Sequence, residues 1–151
     1  MRILVQACSA ASVEINSEIV AQIGQGELLL VAFKPDDTPA LVDKMIGKLL
    51  KIRIFPDTDG KTNLSLSDFG GDILAVSQFT LYGGLKEGNR PSYNRSMNAN
   101  DARKLFSYFQ KTLSASRPTT RFGVFQAEMN VTLTNVGPTT YLLDSEELFG
   151  E

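Results

Sequence analysis

The stretch ILAVSQFTLY, Ile73 to Tyr82, decides how the fold is read. In an extended chain alternate side chains point to opposite faces, so Ile73, Ala75, Ser77 and Phe79 share one face while Leu74, Val76, Gln78 and Thr80 share the other. Both faces begin apolar, which makes this a central strand of its sheet. Its far end carries Ser77, Gln78 and Thr80, groups that need hydrogen-bond partners if they stay buried. Ser77 and Thr80 meet at one spot only if the strand bends there. Two readings stay open from the segment alone. The three polar groups satisfy neighbouring strands, or the strand end presents oriented donors to a ligand, namely the backbone amides beside Phe79 and the polar side chains.

Working outward, RILVQA and SVEINSEIVAQIG read as two short strands with a hairpin turn at the polar NSE, and ELLLVAF, Glu27 to Phe33, as a third, more buried strand. KPDDTP breaks that pattern. Thr38 is a good N-cap with Pro39 at the first helical position, and Leu41, Val42, Met45, Ile46, Leu49 and Leu50 fall on one stripe, predicting a helix over Pro39 to Leu50. RIF reads as a short strand and PDTDGKTN as a loop whose Asp59-Gly60 pair suits a turn. Its DTDG lacks the ordered oxygen ligands and distal glutamate of a calcium loop, so no metal site is expected. After the strand from Ile73 to Tyr82 comes GGLKEGNRPSYNRSMN, too long and polar for a plain connector. Ala102, Leu105, Phe106, Phe109 and Leu113 predict a second helix from about Ala99 to Ala115. TRFGVF, AEMNVTLTNV and TTYLLDS complete the chain as strands. Hairpin-ordered strands with two amphipathic helices predict an α+β fold of antiparallel and mixed sheets, helices on one side.

With 151 residues, 42% hydrophobic and 21% charged, the chain has the size of one domain with its own core. No apolar run reaches the roughly 18 to 20 residues of a bilayer-spanning helix, and the start does not read as a signal peptide, so a soluble, cytoplasmic protein is expected. The sequence contains no histidine. That excludes Ser-His-Asp and Cys-His relays, His-ligated zinc and imidazole acid-base chemistry. The single Cys8 excludes an internal disulfide and a CxxC pair. Fifteen basic against seventeen acidic residues, a formal charge of -2, leave no bulk attraction to nucleic acid. Binding a nucleic-acid end through a local patch remains open. A Thr80 nucleophile would lack a neighbouring base in the sequence, so Thr80 reads better as a donor.

NVGPTT, Asn135 to Thr140, is the second unusual segment. A proline between two strands removes an amide donor and ordinarily marks a hairpin turn or an edge, and that reading is favoured. The alternative is a stiff backbone wedge, Gly137 and Pro138, that presents carbonyl oxygens without a mobile side chain.

SQFTL, Ser77 to Leu81, together with NVGPTT resembles the paired signature of the D-aminoacyl-tRNA deacylases, also called D-tyrosyl-tRNA deacylases. KIRIF at Lys51 to Phe55, NLSL at Asn63 to Leu66, GNRPSY at Gly88 to Tyr93 and RFGVFQAEMNV at Arg121 to Val131 match in order between Met1 and about Ser145. The resemblance implies a single domain with a barrel-like layered core, a homodimer, and hydrolysis of the ester joining a D-amino acid to the terminal adenosine of tRNA, without metal or cofactor. It implies that Ser77, Gln78, Phe79 and Thr80 form the catalytic segment. Gly137 and Pro138, joined in the family by a cis bond, would enter the partner's pocket and select chirality, with Asn135, Thr140 and Met129 also on the substrate. Lys86, Arg90 and Arg95 on the long loop are expected to contact tRNA phosphates. Three positions depart from the family pattern: Ala7 stands where an arginine usually braces the Gly-Pro segment, Val136 replaces a common aspartate, and Gln126 a common glycine. Two other functions fit the same scaffold: a non-catalytic RNA or protein interaction module, and an aminoacyl-tRNA editing hydrolase with relaxed chirality.

Overall fold

The computed structural model describes residues 1–151. Its first strand, β1 (Arg2–Ile15), organises the sheet. The hairpin expected at NSE forms, and its first strand runs without a break from Arg2 to Ile15, pairing β3 along Arg2 to Cys8 and β8 along most of its length. The turn itself falls at Asn16 and Ser17, both with positive φ, and leads into β2 (Glu18–Ile23). One edge of β1 carries β3 (Gly26–Ala32) and then β2; along the other lies β8 (Asn130–Asp144), all antiparallel. β3 then pairs in parallel with β6 (Asp72–Ser77), and β6 with β7 (Arg121–Phe122). The result is a mixed, nearly closed sheet.

Parallel neighbours require crossovers, and each crossover here is helical. α1 (Pro39–Leu49) lies between β3 and β6, and α3 (Ala99–Ser116) between β6 and β7. Both crossovers advance in the same direction across the sheet, and connections of one hand then leave both helices on the same face. Thr38 and Asn98 cap them: Thr38 Oγ1 accepts from Leu41 N and Asn98 Oδ1 from Asp101 N. Leu41, Val42, Met45, Ile46 and Leu49 of α1 and Leu105, Phe106, Phe109 and Leu113 of α3 pack on Ile3, Val5, Leu29, Val31, Ile73 and Ala75. Each such burial stabilises by about 1.5–3 kcal/mol. Leu28, Leu74 and Val76 on the other face of the sheet join a second cluster with Cys8, Ala11 and Val13. Central placement of the Ile73 segment thus holds: it has strands on both sides and apolar packing on both faces.

The helix count is four rather than two. α2 (Leu66–Phe69) forms because Ser65 and Asp68 make a reciprocal capping box, and α4 (Ser145–Phe149) follows a cap from Asp144. Both are too short for a periodic stripe to announce them. The RIF strand reduces to β4 (Phe55–Pro56), paired with β5 (Thr62–Leu64) inside the stretch read as a loop. In the turn between them the Asp57 carboxylate accepts from Asp59 N, Lys61 N and Asn63 Nδ2, so its oxygens are engaged by the turn itself.

Two further expectations are corrected. The strand expected to reach Tyr82 ends at Ser77, followed by a 3-10 turn at Phe79–Tyr82. The Gly-Pro segment is not a hairpin. NVTLTNV and TTYLLD belong to the single strand β8, with Ala127 to Met129 before it and Ser145 opening α4, and β8 pairs β1 on both sides of the proline, Cys8 with Asn135 and Gln6 with Thr140. The intervening residues, 136–139, arch out opposite Ala7. A strand accommodates a proline this way because the arch asks no ladder bond of it.

Where β3 and β6 begin, backbone meets backbone. A Cβ at Gly26, whose φ is +153°, would stand 1.9 Å from the Asp72 carbonyl oxygen, so only glycine lets the parallel pair close. The next residue, Glu27, lies opposite Ala7 and Ile73 and faces the helix-side core, fully buried. Neither carboxyl oxygen has a hydrogen-bond partner, and burial pushes its pKa up to about 8 against the attraction of Arg117.

Candidate active site

A cleft of about 660 Å³ opens at the carboxyl ends of the parallel strands β3 and β6, the end of an open parallel pair at which ligands ordinarily bind. Leu30 and Ala32 from β3, Val76 and Ser77 from β6 and the start of α3 form its walls, with Met129 and Val131 from the β8 side. No aspartate, glutamate, lysine or arginine lines it. What the cleft offers a bound group is oriented neutral dipoles, which suit the stabilisation of developing charge.

Those dipoles come from the end of β6. Gln78 N donates to Val31 O at 2.7 Å, the last bond of the ladder. The chain then turns into the 3-10 segment, where Leu81 N donates to Gln78 O and Gly83 N to Thr80 O. A helical turn leaves its first amides without internal acceptors, and neither Phe79 N nor Thr80 N donates to any protein group. The Ser77 and Thr80 hydroxyls and the side-chain amide of Gln78 likewise make no hydrogen bond within the protein. Ser77 and Gln78 are half-buried and line the cleft with Phe79; Thr80 is exposed beside it. The reading in which these groups satisfy neighbouring strands does not describe the fold.

The turn is held from behind. Arg2 donates through Nη1 to Leu81 O at 2.8 Å and through Nε to Asp144 Oδ2 at 2.7 Å, with its guanidinium 4.6 Å from the Tyr82 ring centroid. Burial acts to raise the Asp144 carboxyl, but the Arg2 and Glu146 N–H bonds outweigh it and hold the group below the usual carboxylate range. From the front, Ser96 Oγ donates to Phe79 O at 3.0 Å, and the Phe79 and Tyr93 rings meet edge-on at 4.9 Å. The long loop closes on itself through the reciprocal Gly84 and Ser92 backbone bonds at 2.8 Å. Lys86 and Arg90 lie on that excursion and Arg95 just after it, all exposed and without an acidic partner.

Met129 lines the cleft, whereas Asn135, Gly137, Pro138 and Thr140 of the same chain do not. Their arch projects from β8 into solvent with a cis Gly137-Pro138 bond. Asn135 Nδ2 donates to Ala7 O and to Thr139 O, both at 2.9 Å. Gln6 Nε2 lies 3.4 Å from Asn135 Oδ1 and from Thr140 Oγ1, which in turn is 3.1 Å from Pro138 O. The Asn135 and Thr140 side chains are thus spent on bracing the arch, with Ala7 contributing only its carbonyl. Phe33, Met97, Ala99 and Phe125 also line the cleft. Nothing local in the sequence separates an apolar residue of a cleft wall from one of the interior.

A sequence model of the family described as D-Tyr-tRNA(Tyr) deacylase matches residues 4–144. A D-aminoacyl-tRNA deacylase of Listeria monocytogenes serotype 4a (strain HCC23) is 45% identical over 98% of each chain. One from Pseudomonas fluorescens (strain Pf0-1) is 46% identical over 96% of this chain and 100% of its own. Among solved structures, the c-Myc DNA Unwinding Element Binding Protein superposes with a TM-score of 0.91 at 34% identity, covering 96% of this chain and 99% of its own. A probable eukaryotic D-amino acid tRNA deacylase gives 0.84 at 19% identity over 94% and 97%, a likeness of fold.

Proposed function

The chain belongs to the D-Tyr-tRNA(Tyr) deacylase family, and from that premise we propose that its cleft hydrolyses the ester joining a D-amino acid to the terminal adenosine of tRNA. The observation that carries the assignment of the site is the pair of unclaimed amides, Phe79 and Thr80, at a turn braced on both sides. An ester is an activated acyl group, so holding it against such donors lowers the barrier to attack by water without a charged base. As water adds to the carbonyl carbon, the carbonyl oxygen takes negative charge beside the Phe79 amide and Thr80. Collapse breaks the ester C–O bond and expels the ribose 3'-oxygen, which takes the proton given up by the attacking water, relayed through the substrate's 2'-hydroxyl in place of an enzyme base. Ser77 and Gln78 hold the adenosine end, and Met129 packs against it. Lys86, Arg90 and Arg95 add a local excess of positive charge for the acceptor strand.

Chiral selection falls to Gly137 and Pro138 of a second copy. A fifteen-residue strand with one unpaired edge invites pairing with another chain, and β8 carries exposed Val136, Tyr141 and Leu142 along its length. Sedimentation is expected to give twice the monomer mass, and a monomer at micromolar concentration would remove the shared site. The decisive assay incubates the protein separately with D-Tyr-tRNA and L-Tyr-tRNA. Cleavage of the D ester alone is expected. A binding module cleaves neither, and an editing hydrolase of relaxed chirality cleaves both.

Gly137→Ala tests the arch. The added Cβ would lie 2.6 Å from Thr139 Oγ1 and 2.8 Å from Thr139 N at a φ of +114°, so the arch must shift, at a cost of about 1–3 kcal/mol. The preference for D over L is expected to fall about tenfold, since a rigid backbone sets the discrimination. An unchanged D-to-L ratio would take selection away from the arch.

A further inference from the structure

Gln126 is a non-glycine residue in the left-handed region, φ +64°, at the mouth of the cleft. Glycine holds that conformation without steric cost, so the glutamine is there for its side chain. Its Oε1 accepts from Arg103 Nη2, and the Arg103 guanidinium carbon stands 4.7 Å from the Phe125 ring centroid. Phe125 and Gln126 belong to one wall, and Arg103 follows Ala102 of α3 on another. The guanidinium therefore spans the rim, stacked on one side and tied at one nitrogen.

Three of the other arginines are employed elsewhere in the fold. Arg2 pairs with Asp144, while Arg53 and Arg117 bond Asn63, Ser67 and Gly71 O within the fold. Arg90, Arg95 and Arg121 have neither a bonded partner nor a ring beneath them. Among the arginines held by a bond or a ring, Arg103 alone stands at the cleft mouth without an acidic partner. Asp101, two residues earlier on α3, is taken up by Asn98 Nδ2 at 2.7 Å and Lys104 Nζ at 3.5 Å. A guanidinium whose side-chain entropy is already spent, with most of its five N–H donors free, is suited to a planar anion such as a phosphate.

Resting on the function proposed above, we infer that Arg103 contacts a backbone phosphate of the tRNA acceptor end, in reach of the phosphate leading into the terminal adenosine, and that Gln126 and Phe125 position it. The bond cleaved is untouched by this contact, so the effect falls on binding.

The test compares two substrates with the same ester: D-Tyr-tRNA, and 3'-O-D-tyrosyl-adenosine, which has no phosphate. Arg103→Met is expected to raise KM for D-Tyr-tRNA about tenfold with kcat within about twofold, and to reduce the slope of log(kcat/KM) against log[salt] by about one. Its kcat/KM on the adenosine ester should equal that of the wild type. Gln126→Gly, which frees the guanidinium without removing it, should raise KM for D-Tyr-tRNA about threefold and again spare the small ester. Equal losses on both substrates would make Arg103 a wall support and overturn the inference, as would no loss on either. Failure of the wild type to cleave either substrate would overturn the proposed function itself, and this inference with it.

Discussion

Phe79→Pro is expected to hydrolyse D-Tyr-tRNA about 100- to 1000-fold more slowly than Phe79→Ala. Both variants lose the ring and its edge-on contact with Tyr93, so their ratio isolates one N–H. Proline is admissible here for local reasons. Phe79 opens the 3-10 turn, where its amide serves no ladder, and the preceding Gln78, at φ −142° and ψ +83°, stays out of the α region that proline disfavours in its predecessor. The fold should therefore survive, with a thermal midpoint close to that of Phe79→Ala, while the donor aimed at the developing oxyanion is gone. Single-turnover rates on D-Tyr-tRNA read the difference directly. Equal rates for the two variants would exclude the Phe79 amide from the chemistry.

The second large effect concerns stability. Glu27→Leu is expected to stabilise the protein by about 4 kcal/mol at pH 8 and by little at pH 4.5. The folded-state pKa of Glu27, about 8, lies above the ordinary value of 4.5 because burial disfavours the charged form. Below 4.5 the group is protonated in both states and contributes no penalty of ionisation. Between 4.5 and about 8 the unfolded chain releases the proton while the folded chain keeps it, so stability falls by about 1.4 kcal/mol per pH unit. Above about 8 both states are ionised and the loss levels off. Leucine removes the titration and fills a similar volume beside Leu29 and Ala7, and Arg117 keeps its bonds to Ser67 and Gly71. Thermal or urea unfolding from pH 5 to 8 should show a declining wild-type curve and a flatter Glu27→Leu curve. Parallel curves would mean that Glu27 does not carry the pH dependence.

Much of the scaffold was legible because local pattern and tertiary structure agree there. The stripe from Leu41 to Leu49 and that from Ala102 to Leu113 are the faces the two long helices bury. The doubly apolar start of the Ile73 segment marked a strand with neighbours on both sides. Where local pattern and structure part, long-range pairing decided. Val136 to Thr139 carry the signature of a turn, yet β1 pairs β8 before and after them and makes an arch. Ser77 to Tyr82 continue a strand by alternation, yet β3 and β7 offer no further partners, so the chain turns instead.

Sequence alone determined the membership of the family, the absence of imidazole chemistry and the two signature segments, SQFTL and NVGPTT, since these depend only on which side chains are present and in what order. Tertiary structure decided that Phe79 and Thr80 amides stand free, that Glu27 lies unpaired in the core, that Asn135 and Thr140 brace the Gly-Pro arch, and that Arg103 is tied across the cleft mouth. Each of these is a question of which groups find hydrogen-bond partners. Partners brought together from distant parts of the chain by a closing sheet have no signature in the spacing of nearby residues.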